Sequence, residues 1–265
     1  MTAQLVAAGQ SVRARLITRE DGVLCGTAWA AQTFRSLDPA IQLQWHAEDG
    51  DAIRAGDLLL EVAGRARAVL TAERTALNFL QTLSGTATAA SRFVAAVRGT
   101  DCRILDTRKT LPGLRRAQKY AVRCGGAHNH RRGLFDMFLI KENHIAAAGS
   151  LASAVTAARR HGAGLAVEVE VESLEELERA LDAGPDVIML DDFTAADLIE
   201  AVARNRARAH PVKLEASGGI SLENVRQIAQ SGVDFISIGA LTKHVRAVDL
   251  SLRIDFVEPG AAGSA

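Results

Sequence analysis

From Cys102 onward, short apolar runs alternate with segments of helical periodicity, and this alternation constrains the fold more than any other feature. The runs that predict strands are RILDT, MFLIK, LAVEVEV, DVIMLDD, VKLEAS and FISIGA. Helical patterns separate them, at about 114–123, 150–161, 173–183, 195–205 and 222–230. Repeated strand–helix units predict parallel strands joined by crossover helices. Either an α/β barrel or a doubly wound sheet would satisfy this pattern.

The N-terminal part of the chain has a different rhythm. Residues 11–71 contain runs such as GVLCGTAWA and LLLEVAGRARAVLT, whose Gly and Asp-Gly punctuation predicts β-structure. Helical spacing then predicts two helices, over about 72–83 and 87–97. The tail VDLSLRIDFVEP alternates like one more strand. We therefore expect an N-terminal domain over 1–100, joined by a C-terminal strand at 248–258, a catalytic domain over 101–247, and a disordered GAAGSA terminus.

Charge and hydropathy argue against two classes of partner. Lys and Arg number 31 and Asp and Glu number 31, whereas a nucleic-acid binder would carry a basic surplus. No apolar run reaches the roughly 18 residues needed to cross a bilayer, and MTAQLVAAGQ lacks the pattern of a signal peptide. The three cysteines show no C-x-x-C spacing and are expected to be free thiols. We expect a cytoplasmic protein that binds neither nucleic acid nor membrane.

The neutral total conceals two oppositely charged segments. Residues 103–132 contain nine Lys or Arg against one acid, Asp106. Residues 166–200 contain twelve Asp or Glu against one base, Arg179. Charges separated in this way indicate a site that holds an anionic substrate beside a carboxylate-bound cation. The alternative is that both segments form solvated helix faces.

Charged residues or glycines follow nearly every predicted strand, where ligands bind in parallel α/β folds. Position alone favours a functional role for four cations: Arg108, Lys109, Arg131 and Lys141. By contrast, Arg116, Lys119 and Arg123 recur at helical spacing, which is typical of a solvated helix face.

The run LAVEVEVES places valines on one face of a strand and three glutamates on the other: Glu168, Glu170 and Glu172. If the valines face the helices, the glutamates point into the barrel and need cations as partners. Lys141, Lys213 or Mg²⁺ could supply that charge. The alternative is an edge strand whose glutamates lie in water.

Two glycine turns at consecutive strand ends indicate phosphate binding. The turn Ser217-Gly218-Gly219 precedes a predicted helix, and Gly239 lies in the turn of ISIGALT. Glycine lets backbone N–H groups approach a phosphate closely, and a helix N-terminus adds a favourable dipole. Phosphate sites of α/β barrels commonly use the last two such loops.

The segment TRKTLPGLRRAQKYAVRCGGAHNHRRGLFDMFLIKENHI resembles the signature region of the quinolinate phosphoribosyltransferase family. The similarity continues through ERTALNFLQTLSGTAT, EVEVES, IMLDDF, EASGGI and ISIGALT. It implies an α/β fold with an N-terminal open α/β sandwich domain plus an incomplete (β/α) barrel domain. It also implies phosphoribosyl transfer from phosphoribosyl pyrophosphate to quinolinate with decarboxylation, giving nicotinate mononucleotide, pyrophosphate and CO₂. Mg²⁺ is the implied cofactor, and a homodimer or a higher oligomer is the implied assembly.

The resemblance also assigns residues to the two substrates. The dicarboxylate site corresponds to Arg108, His130, Arg131 and Lys141, and is completed by Arg74 of the partner subunit. Lys109 resembles the lysine that reaches the phosphoribosyl substrate. Glu170 and Asp191 match the acids near the ribose hydroxyls and the metal. The loops for the 5′-phosphate correspond to Ser217, Gly218, Gly219 and Gly239. Catalytic roles are implied for Lys109, Lys141, Glu170 and Asp191.

Three other functions remain open on the sequence. A paralogous phosphoribosyltransferase of the same fold would act on another substrate, such as the monocarboxylate nicotinate. A Schiff-base aldolase would use Lys141 at its strand end, although Glu142 and the nearby acids disfavour the neutral amine that this chemistry requires. A structural protein without a ligand would not need charges or glycines at so many strand ends.

Overall fold

The structure is a computed structural model that describes residues 1–162 and 164–257. The predicted disorder of GAAGSA, and position 258 of the predicted C-terminal strand, lie outside the described residues. The chain divides into two compact units. The first unit contains Met1–Ser91, Tyr120–Gly126 and the residues from His244 onward, and the second contains Arg92–Lys119 and Ala127–Lys243. Relative to the predicted domains, residues 92–100 group with the second unit and residues 120–126 with the first.

The strands are β1 (Ser11–Thr18), β2 (Gly22–Val23), β3 (Gln42–Trp45), β4 (Ala52–Ile53), β5 (Leu58–Arg65), β6 (Arg103–Leu105), β7 (Phe138–Ile140), β8 (Val167–Val171), β9 (Val187–Asp191), β10 (Lys213–Ser217), β11 (Phe235–Ser237) and β12 (Leu250–Val257). The helices are α1 (Thr27–Leu37), α2 (Ala66–Ala96), α3 (Arg115–Cys124), α4 (Glu142–Ala148), α5 (Leu151–His161), α6 (Leu174–Ala183), α7 (Ala195–Arg206), α8 (Val225–Gln230) and α9 (Ala240–Lys243). A short 3₁₀ helix covers Thr2–Leu5.

In the first unit, an antiparallel sheet in the order β12-β1-β5-β3 buries one of its faces. Along β1, Val12, Ala14 and Leu16 are buried while the residues between them are exposed or partly exposed, as a strand with one solvated face requires. These residues share a core with Phe34 of α1 and Leu80 of α2. The C-terminal strand β12 pairs with β1 and so completes this sheet.

The N-terminal sequence pattern failed at two helices. The run GVLCGTAWA was expected to be β-structure, yet α1 begins at Thr27. Its N-terminal cap is not local, because Asp49 Oδ1 accepts from the backbone N–H groups of Gly26 and Thr27 at 2.9 and 3.0 Å. The run LLLEVAGRARAVLT was expected to be a strand throughout, yet the helix starts at Ala66 and buries Val69 on the core side.

The two helices expected over 72–83 and 87–97 are one helix, α2, which runs through Gly85. Glycine in a helix interior costs about 1 kcal/mol relative to alanine, which explains why the sequence favours a break there. The structure shows a steric reason for glycine instead. A Cβ atom on Gly85 would lie 2.2 Å from the carbonyl oxygen of Arg246.

In the second unit, six parallel strands lie in the order β6-β11-β10-β9-β8-β7. Each strand from β7 to β11 neighbours the next in the chain, as in a barrel, whereas a doubly wound sheet reverses its order partway. Among the described residues no pairing joins β6 to β7, so the ladder does not close. The predicted α/β fold, an N-terminal sheet domain followed by parallel strands and helices, is confirmed.

The parallel sheet settles one alternative and corrects one helix. Strand β8 lies between β7 and β9, so the interpretation of LAVEVEVES as an edge strand is wrong. Helix α8 begins at Val225 rather than near 222, because residues 222–224 form a turn. Helix α4 was not predicted at all.

Within the described residues, no helix combines the length and apolar character needed to cross a membrane.

We expect the substitution Gly85→Ala to lower the free energy of unfolding by about 1–3 kcal/mol, because the new methyl group overlaps the Arg246 carbonyl. Gly9→Ala is the matched control, since no atom lies within 4 Å of a Cβ built there. Urea unfolding followed by circular dichroism measures both. Equal midpoints for the two variants would contradict the close approach.

Candidate active site

A cleft in the second unit collects most of the predicted site residues. Its lining residues are Thr107, Arg108, Lys109, His130, Arg131, Leu139, Lys141, Glu170, Met189, Asp191, Ser217 and Ser237. Several of them follow or end the parallel strands: Thr107, Arg108 and Lys109 follow β6, Lys141 follows β7, and Asp191 and Ser217 end β9 and β10. His130 and Arg131 come from the loop between α3 and β7. The cleft therefore lies at the carboxyl ends of the sheet, where parallel α/β folds bind ligands.

Four predicted site residues are not among those lining residues. Arg74 belongs to the first unit and is exposed on α2. Gly218 and Gly219 follow β10, directly after Ser217. Gly239 follows β11, and a Cβ atom on it would lie 3.0 Å from Lys109 Cδ, so this glycine makes room for the lysine side chain.

Lys141 and Glu170 form an ion pair that bridges β7 and β8 within the cleft. The Glu170 side chain is only 9% exposed, whereas that of Lys141 is 42% exposed. A buried carboxylate needs such a partner. The prediction that Lys213 pairs with the glutamates is wrong. Its ammonium group donates to Asp234 Oδ1 at 2.6 Å, and its side chain is mostly exposed.

In the cleft, the positive charge of Arg108 repels that of Arg131. Burial lowers the pKa of Arg131, and the neighbouring charge of Arg108 lowers it further. Glu168 and Asp136 act in the opposite direction but more weakly. An anionic ligand would relieve this repulsion, since each guanidinium group can bind a carboxylate or a phosphate through two parallel hydrogen bonds.

A buried carboxylate under the cleft fixes the loop that carries His130 and Arg131. Asp106 is fully buried; its Oδ1 accepts from the backbone N–H of His130 at 2.9 Å and its Oδ2 from Asn129 Nδ2 at 2.6 Å. Lys119 forms a buried ion pair with Asp106 and also donates to the carbonyl oxygen of His130 at 3.0 Å. Burial raises the pKa of Asp106, and the bonds to Lys119 only partly offset that effect.

Lys119 is therefore a correction to the sequence analysis, which placed it on a solvated helix face. Its side chain is 4% exposed. Arg116 and Arg123 of the same helix are exposed, as expected. Helical spacing alone cannot distinguish the buried Lys119 from the exposed Arg116 and Arg123, because all three lie on α3. Lys119 is buried because it pairs with Asp106, which is distant in the sequence.

Beneath His130, two glutamates lie inside the barrel without a solvent contact. Glu168 and Glu215 are 0% and 2% exposed, and His130 Nε2 lies 2.9 Å from Glu168 Oε2 and 3.6 Å from Glu215 Oε2. His130 Nδ1 accepts from the backbone N–H of Arg131 at 2.7 Å. The imidazole therefore lies between the interior acids and the cleft, which it also lines.

The interior position changes the pKa of one of these carboxyl groups, Glu215. Burial raises the pKa of Glu215 well above its ordinary value, and the nearby Glu168 raises it further. As ionised groups, both glutamates would have buried oxygens without a hydrogen-bond donor. The raised pKa of Glu215 favours its protonated form, in which the carboxyl group can donate a hydrogen bond to Glu168. Of the three glutamates expected inside the barrel, Glu168 and Glu170 lie there, whereas Glu172 is exposed beyond β8.

The turn after β10 requires glycine at position 218. Gly218 and Gly219 have φ of +91° and +55°, and a Cβ on Gly218 would lie 2.0 Å from Asp192 Oδ1. Asp192 itself has φ of 55° and bonds through its backbone N–H to the Ser217 carbonyl at 3.0 Å. Because α8 starts only at Val225, the expected helix dipole does not directly follow this turn.

Three acids at the strand ends have the composition of a cation site. One oxygen each of Glu170, Glu172 and Asp191 lies within 4.8 Å of the others. Carboxylate oxygens are the ligands that Mg²⁺ prefers, and Glu172 and Asp191 keep solvent access. The residues present therefore fit the expected ion.

Sequence reasoning missed several residues of the site and of its support. Thr107, Leu139, Met189 and Ser237 line the cleft. Ser237 also bonds to Glu215. Asp106 offered a usable signal, because it is the one acid in a basic segment and directly follows a strand. Glu215 offered none beyond its place in the run VKLEAS.

Comparison with protein families gives two adjoining matches. The model for the N-terminal domain of quinolinate phosphoribosyl transferase matches residues 1–84, and the model for its C-terminal domain matches residues 86–253.

Individual relatives resemble the chain over nearly its whole length. Nicotinate-nucleotide pyrophosphorylase [carboxylating] of Mycobacterium leprae is 46% identical over 253 residues, covering 95% of this chain and 89% of that protein. A probable enzyme of the same name from Bacillus subtilis is 41% identical, covering 96% and 87%. The solved nicotinate-nucleotide pyrophosphorylase of Francisella tularensis superposes with a TM-score of 0.92 at 48% identity, covering 96% of this chain and 89% of that one.

We expect Lys119→Met to lower the free energy of unfolding at neutral pH by about 3–5 kcal/mol, because Asp106 loses its buried counter-charge. In the variant, the folded state holds a proton on Asp106 more tightly than the unfolded state does. Stability should therefore recover as pH falls toward the ordinary aspartate pKa. Arg116→Met on the same helix is the control and should shift stability by no more than about 0.5 kcal/mol. Chemical unfolding at neutral and acid pH measures both, and equal losses would contradict the assignment.

Proposed function

The chain belongs to the quinolinate phosphoribosyltransferase family, and we propose that it transfers the phosphoribosyl group of phosphoribosyl pyrophosphate to quinolinate with decarboxylation. The products are nicotinate mononucleotide, pyrophosphate and CO₂, and the reaction serves the synthesis of NAD. The observation that carries this proposal is the convergence of Arg108, Arg131 and Lys141 on one cleft at the carboxyl ends of a parallel sheet.

The number of cations favours a dicarboxylate over a monocarboxylate. Quinolinate carries carboxylates on adjacent ring carbons, and two arginine side chains together with Lys141 can neutralise both. The mutual repulsion of Arg108 and Arg131 falls when a dianion lies between them. Nicotinate has one carboxylate and would leave part of that repulsion in place. A paralogous enzyme for nicotinate is the second candidate, and the substrate comparison below separates the two.

The proposed reaction joins the pyridine nitrogen to ribose C1′ and breaks the bond from C1′ to the pyrophosphate oxygen. Positive charge develops on the ribose as the leaving group departs, and the carboxylates of Glu170 and Asp191 stabilise it electrostatically. Lys109, which is exposed at the rim of the cleft, binds the phosphoribosyl substrate. Loss of CO₂ then leaves an electron pair at ring carbon C2, beside the newly cationic nitrogen, and C2 takes up a proton from water to give the product. Orientation and charge carry the reaction, without a covalent enzyme intermediate.

The phosphate end of the substrate is assigned to the two glycine turns. Ser217 lines the cleft, and Gly218 and Gly219 continue the turn with positive φ angles. Gly239 forms the neighbouring turn beside Lys109. We assign Mg²⁺ to Glu170 and Asp191, where it would offset the charge of the pyrophosphate group.

An aldolase function for Lys141 is not supported. A Schiff base requires a neutral amine. The Lys141 side chain instead forms an ion pair with Glu170. Membership of a phosphoribosyltransferase family also removes the structural-protein alternative.

A homodimer with shared active sites is part of the proposal. Arg74 is exposed on α2, belongs to the first unit and does not line the cleft of the second unit. We assign it to the cleft of the partner subunit, where it would add a further cation to the dicarboxylate site.

Turnover should fall at least about tenfold in Arg131→Ala with quinolinate as substrate, because a hydrogen bond to a charged group contributes about 1.5–3 kcal/mol. Arg132→Ala is the matched control, since this neighbouring arginine is exposed and does not line the cleft. Wild-type protein is assayed in parallel with quinolinate and with nicotinate. Faster turnover of nicotinate would contradict the proposed substrate, and equal effects of the two substitutions would contradict the assigned site.

Mixing Arg74→Ala and Lys141→Ala proteins, each inactive alone, should restore about a quarter of wild-type activity after subunit exchange, since half of the dimers then contain one intact site. Size-exclusion chromatography confirms that both variants assemble as the wild type does. Recovery by a mixture of Arg108→Ala and Lys141→Ala should not occur, because both residues lie in one cleft. Absence of recovery in the first mixture would contradict the sharing of Arg74.

A further inference from the structure

A pair of cysteines lies in the first unit, outside the cleft. Cys25 is fully buried and Cys124 is partly exposed, and their sulfur atoms lie within 4.8 Å of each other. One oxygen of Asp49 and the two sulfur atoms all lie within 4.8 Å of one another. The residues are 99 positions apart in the sequence, so only the fold brings the sulfurs together.

The local structure holds both sulfurs in place. Cys25 lies just before α1, and its backbone N–H and carbonyl bond to Ser84 Oγ of α2 at 2.9 and 3.2 Å. Cys124 is the last residue of α3, and Tyr120 lies one turn earlier on that helix. The Tyr120 hydroxyl donates to Asp49 Oδ2 at 2.9 Å. Asp49 therefore connects the start of α1 to the end of α3.

We propose that Cys25 and Cys124 form a modification site, at which a hydroperoxide converts the two thiols into an intramolecular disulfide. The reaction balances in two steps. The Cys124 thiolate attacks the peroxide oxygen, which leaves a sulfenic acid on Cys124 and releases water from hydrogen peroxide. The Cys25 thiol then displaces that hydroxyl group, which forms the S–S bond and releases a second water molecule.

The order of the two steps follows from the surroundings of each sulfur. Burial and the nearby charge of Asp49 raise the pKa of the Cys25 thiol far above its ordinary value. Burial also raises the pKa of Cys124, but its hydrogen bonds with Cys25 and Tyr120 oppose that effect. Cys124 also has the solvent access that a peroxide needs. Cys124 is therefore the attacking residue and Cys25 the resolving one.

The same atoms are less suited to a metal ion. Asp49 Oδ1 already accepts two backbone N–H groups and Oδ2 accepts the Tyr120 hydroxyl, so the carboxylate acts as a helix cap. The two thiols, by contrast, have each other as a partner. Metal binding by Cys25, Cys124 and Asp49 is an outcome that the experiment below distinguishes.

Cys102 provides an internal control. It is buried in the second unit, and burial raises its pKa to about 12. It belongs to no cluster of metal-binding or thiol groups among the described residues. A peroxide that modified buried cysteines without regard to geometry would act on all three alike.

The test treats reduced, metal-free native protein with hydrogen peroxide and alkylates the remaining thiols under denaturing conditions. We expect the intact mass before alkylation to fall by two hydrogen atoms. A non-reducing tryptic digest should then contain residues 20–35 cross-linked to residues 124–131, while the Cys102 peptide, residues 99–103, is alkylated. Cys102→Ser should give the same cross-link. In Cys25→Ser, dimedone should trap a sulfenic acid on Cys124, and in Cys124→Ser, Cys25 should remain reduced.

Several results would overturn the proposal. One is stoichiometric alkylation of Cys25 and Cys124 after oxidation, and another is a cross-link that includes Cys102. Oxidation of Cys124 to a sulfinic acid without a link to Cys25 would also contradict it. A separate titration with Zn²⁺ tests the metal alternative. Binding of one ion that is lost in both Cys25→Ser and Cys124→Ser, with no disulfide after peroxide treatment, would assign the site to a metal instead.

Discussion

The carboxylate of Asp106 is the interaction on which the cationic side of the cleft depends. It accepts hydrogen bonds from the backbone of His130 and from Asn129, and its charge is balanced by Lys119. These bonds fix a loop that has no regular secondary structure, and that loop presents Arg131. Asp136 adds a second anchor further along the same loop, because its carboxylate accepts from the backbone N–H groups of Arg132 and Gly133 at 2.7 and 3.0 Å. The buried Asp106 thus fixes the start of the loop that carries Arg131.

Charge is arranged in the barrel by depth. The layer at the strand ends carries the cations Arg108 and Arg131 together with Asp191, whereas the interior layer carries Glu168 and Glu215 under His130. The raised pKa of Glu215 keeps the interior from holding two negative charges at once. Lys141 and Glu170 lie between these layers and pair with each other. A dianion entering the cleft therefore meets positive charge that has few other partners.

The sequence predicted the parts of the fold that follow from local periodicity. The six strand runs after Cys102 all form strands of one parallel sheet, because apolar runs bounded by charges and glycines have few other structures available. Predictions from periodicity were wrong where a residue distant in the sequence determines the local structure. Asp49 caps α1 from another segment, and the approach of Arg246 explains Gly85 inside a continuous helix. Lys119 was predicted to lie on a solvated helix face, but its ion pair with Asp106 holds it in the interior. Among the site residues, a position at a strand end predicted a place in the cleft. The burial and the raised pKa of Glu215 could not be predicted, because they depend on neighbours from other strands.

The most direct test of the account follows the carboxyl group that the reaction removes. Quinolinate labelled with ¹³C in its 2-carboxyl group is incubated with phosphoribosyl pyrophosphate, Mg²⁺ and the wild-type protein, and labelled CO₂ and pyrophosphate are measured together. We predict one labelled CO₂ for each pyrophosphate released, and no CO₂ when phosphoribosyl pyrophosphate is omitted. Pyrophosphate release without labelled CO₂, or no release of either, would contradict the account.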